Sequence, residues 1–409
     1  MRTAPTMPPP APPRPAPLRR VVVVGHGIAG LTAGQVLRRE GFDGELIVVG
    51  QEPHAPYSRP ALSKSLATAG HGAGPASAAE LVPPYLAGTL EDAEVLSGVG
   101  AAGLCPDRST ILLDDGRGLA YDGLVIASGA SPRRFTDSPD ELTLRSLDDA
   151  RTLYRRLAAR PSVVVLGGGP LGMEVASSAR ALGCEVTLVH QGLPMHRQVG
   201  AALARLCITA ALDHGVVHRD AAAMGVRAPS AEAGRGLTVD LTDGGTLTAD
   251  LVVTAVGDVP DTAWLQDSGL LTDGRLITCP RGTVAPGVVA AGDVSWRTRA
   301  DGPFRRALWT DAIEEATAAA AALLHGQAAP APEYTPYFWT EQFGLSLRLS
   351  GTPHPGAEPV IVDGNPATGR ALLRWEPHGP TGASAAAALN YRIPVPRLRR
   401  LAAPVGVVA

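Results

Sequence analysis

Lysine is all but missing from this chain. Of its 36 lysines and arginines in 409 residues, one, Lys64, is lysine. Arginine presents a planar five-donor fork, and lysine a compact point charge whose pKa shifts readily. A chain that uses arginine at every other basic position marks Lys64 for a task arginine cannot do. Cysteine is scarce as well. Cys105, Cys184, Cys207 and Cys279 are scattered, with no C-x-x-C or C-x-x-x-x-C pair. A redox disulfide and a metal site therefore have no candidate residues, and isolated thiols fit a reducing compartment, with the bacterial cytoplasm the expected location. No apolar run approaches the roughly 20 residues of a membrane helix, so no membrane partner is expected. A formal net charge of −3 gives no electrostatic footing for nucleic acid.

The length is too great for one core, so two or three domains are expected. The opening MRTAPTMPPPAPPRPAPLRR is proline-rich without an apolar centre. It reads as neither a signal peptide nor a folded element, and a disordered extension is expected over residues 1–19.

The chain is organised around VVVVGHGIAGLTAGQVLRREGFDGELIVVGQE, from Val21 to Glu52. Four valines bounded by Gly25 read as a buried parallel strand. Gly25, Gly27 and Gly30 fall at G-x-G-x-x-G spacing: a tight turn, close backbone approach to a pyrophosphate, and helix-on-strand packing. The helix that follows directs its N-terminal N–H groups and dipole at that phosphate. A second apolar strand ends beside Glu52, placed to accept both hydroxyls of a ribose. Strand, helix, strand and acid together predict a dinucleotide site.

The pattern then recurs. PSVVVLGGGPLGMEVASSARALGCEVTLVH repeats the unit, with Gly167, Gly169 and Gly172 at the same spacing. Two dinucleotide sites in one chain are therefore expected. The second strand of this repeat ends at His190, where an NAD site usually carries an acid, and Arg197 follows seven positions on.

Between and after the repeats lie further segments. HAPYSRPALSKSL reads as a loop leading into a short helix, and AGHGAGPASAAE as a surface loop. Two short strands flank the DDGRG turn, and YDGLVIASGA is a strand running into small residues. GLTVDL and DLVVTAVG read as strands closing the second unit and returning to the first. VVAAGDV places Asp293 at an expected helix start, followed by the alanine-rich helix TDAIEEATAAAAALLHG. From about Tyr334 short strands and a helix near Val395 to Leu401 indicate a smaller α+β domain.

The two glycine motifs, PYSRPALSK, YDGLVIASGA, VAAGDV and PYFWTEQFG together resemble ferredoxin reductases of the putidaredoxin reductase type, FAD flavoproteins of the two-dinucleotide-binding superfamily. The resemblance covers about residues 20 to 405. It implies an α/β fold of two Rossmann-like dinucleotide-binding domains, the second inserted in the first, plus a C-terminal α+β domain. The implied boundaries are 20–138 with 252–330 for FAD, 139–251 for NAD(P)H, and 331–409 for the last domain.

The resemblance also implies roles. Gly25, Ile28, Ala29 and Gly30, with Gly27, would hold the FAD pyrophosphate, and Glu52 its adenosine ribose. Arg59 and Lys64 match an R-P-x-L-S-K signature whose lysine lies by the isoalloxazine. Ala127, Ser128 and Gly129 would line the FAD path, Asp293 would bond a ribityl hydroxyl, and Trp339 would stack near the flavin. Gly167, Gly169, Pro170, Leu171, Gly172, His190, Arg197 and Gly257 would hold NADH or NADPH. Glu174 would reach the nicotinamide and pair with Lys64. A fixed cation there would stabilise the charge that a flavin gains on reduction.

Departures from the family pattern are Gln51 and Ser58 for acids, Ala307-Leu308 for a polar pair, and His190 for the acid that favours NADH. The activity implied is electron transfer from NAD(P)H through FAD to a [2Fe–2S] ferredoxin serving a cytochrome P450 or oxygenase. Alternatives are a small-molecule or rubredoxin reductase, or a redox-sensing protein resembling apoptosis-inducing factor.

Overall fold

The computed structural model describes residues 18–69, 90, 92–228, 236–299, 301–330, 332, 334–354, 356–378 and 383–403. Residues 1–17 of the expected extension and 70–80 of the expected surface loop lie outside them.

The four valines form the centre of a six-stranded sheet, and none is more than 4% exposed. Strand Arg20–Val24 runs parallel to Glu45–Gly50 on one side and to Gly123–Ile126 on the other. Glu94–Ser97 extends one edge, and Val288–Ala290 with Thr283–Ala285 the other. β-branched residues suit a strand covered on both faces. Helices Ile28–Arg39 and Trp309–His325 cover one face, packing Ala33, Val36, Ala316 and Ala319 against Val21 and Val23. An antiparallel sheet of Ala101–Cys105, Thr110–Leu113 and Gly118–Ala120 covers the other, through Ile111 and Leu113.

The second unit repeats this layering. Its parallel sheet has the order Val217–Arg219, Glu185–Val189, Ser162–Leu166, Leu251–Thr254, Glu141–Leu142. Helices Leu147–Ala158, Pro170–Ala181 and His196–Asp213 pack on one face. The other meets an antiparallel sheet of Ala223–Arg227, Leu237–Leu241 and Thr246–Ala249. The chain leaves the first sheet after Gly123–Ile126 and rejoins it at Thr283–Ala285 and Val288–Ala290, so the second unit is inserted in the first. GLTVDL and the strand Leu251–Thr254 thus both belong to the second unit, and Leu251–Thr254 straddles the expected boundary at 251/252.

One expectation is corrected. Asp293 does not begin a helix: Gly292 takes φ +78°, Ser295 N–H donates to Gly292 O at 3.0 Å, and a strand, Ser295–Arg299, follows. The alanine-rich helix starts at Trp309. A glycine in the left-handed region lets the chain turn tightly here.

The third domain is a five-stranded antiparallel sheet in the order Tyr337–Gln342, Leu345–Gly351, Ala383–Leu389, Arg370–His378, Val360–Asn365. The helix Val395–Ala402 packs Leu398 and Ala402 on Ala386 and Ala388. Its other face shares a core with Met173 and Val199 of the second unit through Leu347, Leu349 and Trp375. No helix among the described residues is long and apolar enough to cross a membrane.

Candidate functional site

The two glycine turns have the same construction. Gly25 and Gly167 adopt φ +108° and +107°. A Cβ on Gly25 would lie 2.0 Å from Ala127 O, and one on Gly167 2.3 Å from Ala255 O. A Cβ on Gly30 would lie 1.8 Å from Gly25 O, and one on Gly172 1.9 Å from Gly167 O. The middle glycines differ in kind. Nothing approaches a Cβ on Gly27 closer than Arg59 Nε at 4.0 Å, and nothing lies within 4 Å of one on Gly169. Their backbone is open on the side where each helix presents its free N–H groups, which is the geometry that receives a phosphate. The residues present therefore fit two dinucleotides.

An imidazole–glycine contact changes sides between the repeats. In the first, His26 sits inside the turn against the strand end, and a Cβ on Gly50 would lie 1.9 Å from its Nδ1. In the second, His190 at the strand end lies against the turn, 2.6 Å at Cγ from a Cβ on Gly168. Burial lowers the pKa of both imidazoles.

A cavity of about 1000 Å³ opens on the first turn. Gly25, Gly27, Ile28, Ala29, Glu52, Arg59, Lys64, Ala127, Ser128, Gly129, Asp293 and Trp339 line it, together with Pro170, Leu171 and Glu174 from the second unit. Gly30 lies beneath the turn, and Gly167, Gly169, Gly172, His190, Arg197 and Gly257 are not on this wall. Gly257 follows the second turn's partner Ala255 and takes φ +107°.

Within the cavity, Glu52 accepts hydrogen bonds from Tyr57 Oη at 2.5 Å and from Arg59. Arg59 also donates to Arg145 O at 2.7 Å, and burial pushes the Tyr57 hydroxyl well up. Asp293 pairs with Arg145 at 2.9 Å. Its neighbour Gly292 donates its N–H to Glu315 Oε2 at 2.9 Å, while Glu315 Oε1 meets Arg297 Nε at 3.0 Å. Burial pushes Glu315 up to about 7.

Lys64 lies at the meeting point of all three domains. Its Nζ donates to Glu174 Oε1 at 2.9 Å and lies 5.6 Å from the Trp339 ring centre. Glu174 also accepts from Thr340 Oγ1 at 2.7 Å and from Ser63. The carboxylate, 5% exposed, thus ties the helix Pro60–Ala69, the helix Pro170–Ala181 and the strand Tyr337–Gln342 together. Sequence reasoning missed Thr340, Ser63, Tyr57 and Arg145. Ser63 and Thr340 adjoin Lys64 and Trp339 in motifs already singled out, so their position was the available signal; Arg145 offers none. None of the four cysteines is paired, and none lines the cavity.

Such a fold, two Rossmann-like units with a third domain closing on the cavity, defines a dinucleotide-dependent reductase. The family model described as pyridine nucleotide-disulphide oxidoreductase matches residues 19–322. The ferredoxin–NAD(+) reductase component of the p-cumate 2,3-dioxygenase system of Pseudomonas putida is 34% identical over 372 residues, 88% of this chain and 85% of that one. Putidaredoxin reductase of Pseudomonas putida is 31% identical, over 84% of this chain and 83% of its own. Among solved structures, the ferredoxin reductase for the CYP199A2 system of Rhodopseudomonas palustris is similar with a TM-score of 0.80 at 26% identity, covering 91% of each chain. The chain belongs to the pyridine nucleotide-disulphide oxidoreductase family, among its ferredoxin reductases of the putidaredoxin reductase type.

Proposed function

We propose that this protein is an FAD-dependent reductase that takes electrons from NADH or NADPH and delivers them to a [2Fe–2S] ferredoxin of a P450 or oxygenase system. The observation that carries the reading is the Lys64–Glu174 pair, set between the two glycine-turn units on the wall of a cavity without cysteine. Held there by these residues, FAD would supply the link between a two-electron nicotinamide donor and a one-electron iron–sulfur acceptor.

The chain's own residues do the rest. The open N–H groups around Gly27 would hold the pyrophosphate of FAD, and those around Gly169 that of the nicotinamide coenzyme. Tyr57 and Arg59 fix the Glu52 carboxylate towards the adenosine ribose. Arg145 orients Asp293 towards the ribityl chain, and the Glu315 carboxylate holds the turn that carries it. Glu174, fixed by three donors, holds the Lys64 ammonium where a reduced ring gains charge. The segments 20–138 with 255–330 form the FAD domain, 139–254 the coenzyme domain, and 331–409 the domain that brings Trp339 to the cavity. A cytoplasmic location belongs to the same proposal, supported by the isolated free thiols.

The purified protein should be yellow, with FAD released on denaturation, and NADH should bleach it under anaerobic conditions. Protein that stays colourless after incubation with FAD contradicts the proposal.

A further inference from the structure

Two features of the second unit play no part in the electron transfer: the imidazole at its strand end and an arginine just beyond. Equivalent backbone bonds put the two turns in register. Gly25 N–H donates to Val49 O at 2.7 Å, and Gly167 N–H to Val189 O at 2.9 Å. In that register His190 corresponds to Gly50, and Gly192 to Glu52. A carboxylate that would bind a free 2′-hydroxyl, and repel a 2′-phosphate, is therefore absent both at the strand end and at the position that carries it in the first unit.

An imidazole and a guanidinium occupy this end instead. His190 lies against the turn at Gly168. The segment beyond it is tied to the same turn, with Met195 N–H donating to Gly168 O at 2.8 Å. Arg197, two residues further, is exposed and has no hydrogen bond or ion pair among the described residues. Burial, His218 and Arg197 together disfavour protonation of His190, so positive charge already crowds this site, with Asp220 opposing it. The carboxylates nearby are engaged: Asp220 accepts from Gly192 N–H at 2.7 Å, and Asp243 pairs with Arg219 at 2.5 Å. A Cβ on Gly192 would meet no atom within 4 Å, so the place of the missing acid is open space.

We propose that this end of the second unit receives the 2′-phosphate of NADPH, with Arg197 and His190 as the residues that set coenzyme specificity. The inference rests on the second unit being a dinucleotide site. A free guanidinium offers a phosphate two parallel N–H donors, and a neutral imidazole adds one more. The reductase of the p-cumate 2,3-dioxygenase system is an NAD(+) reductase by name, so this chain departs from it in accepting the phosphorylated coenzyme.

The test is calorimetric titration of the FAD-loaded protein with 2′,5′-ADP and with 5′-AMP, which differ only at the 2′ position. The 2′-phosphate should improve affinity by about tenfold, a charge-assisted bond's worth. Arg197→Ala should remove that advantage, weakening 2′,5′-ADP about tenfold more than 5′-AMP. His190→Glu should weaken 2′,5′-ADP by a larger factor than it changes 5′-AMP. Equal affinity for the two nucleotides, or an Arg197→Ala variant that weakens both alike, would overturn the inference while leaving the dinucleotide site intact. If NADH and both nucleotides fail to bind, the dinucleotide reading fails with it.

Discussion

Lys64→Arg keeps the charge and changes its shape, which isolates what the lone lysine does. Lys64 Nζ sits 2.9 Å from Glu174 Oε1, 3.3 Å from Pro60 O and 5.6 Å from the Trp339 ring centre. Glu174 has no free edge for a fork, because Thr340 shares Oε1 and Ser63 occupies Oε2. A guanidinium must displace one of those hydroxyls, push against Trp339, or leave the carboxylate. Losing a buried pair outright costs about 3–5 kcal/mol, and retained charge removes part of that. Misplacing a positioned group by ~1 Å costs up to about 10²-fold in rate. Flavin reduction should therefore slow by about ten- to a hundredfold, equivalent to about 1.4–2.8 kcal/mol of activation free energy. Anaerobic single-turnover stopped flow with NADH reads this step directly, whereas steady-state rates report the ferredoxin step as well. Glu174→Gln should slow the same step, and the double variant should lose less than the two singles summed. An unmodified rate for Lys64→Arg at normal FAD content would make Lys64 an accident of composition.

Asp293→Ala removes the partner of Arg145 and should weaken FAD retention by about 1.5–3 kcal/mol; the fluorescence of FAD released on dilution measures it, and unchanged retention would remove Asp293 from the site. The His26 imidazole has its pKa lowered by burial. The unfolded chain therefore takes up a proton below about pH 6.5 while the folded one stays neutral, and stability falls as the pH drops from there towards the lowered value. Thermal unfolding should show a smaller loss between about pH 7.5 and pH 5.5 for His26→Gln than for the unmodified protein, and identical losses would show that His26 is not held neutral.

What was legible in the sequence is what the chain encodes locally. Gly25, Gly27 and Gly30 sit within six residues; Gly25 and Gly30 answer steric demands that only glycine meets and Gly27 leaves the backbone open, so spacing alone located the turn. Repetition at Gly167 made the second turn equally plain, and the bias against lysine singled out Lys64 before any contact was known. Bonds between remote segments were not legible. Arg145 meets Asp293 across 148 residues, and Thr340 meets Glu174 across 166, with no local pattern tying either pair. Asp293 was misread as a helix start because Gly-Asp before a helical run resembles a cap; the chain instead turns into a strand, and the helix waits until Trp309. His190 was recognised as unusual, but its exchange of place with His26 became visible only once the two turns were in register.

The most direct test of electron transfer from two dinucleotide sites to a one-electron acceptor is stoichiometry. Anaerobic titration of the FAD-loaded protein and an excess of oxidised [2Fe–2S] ferredoxin with NADH should reduce about two ferredoxins for each NADH consumed. The reaction should fail when the protein is stripped of FAD and return when FAD is restored. NADH oxidation that leaves the ferredoxin oxidised, or that proceeds unchanged in the FAD-stripped protein, would contradict the account.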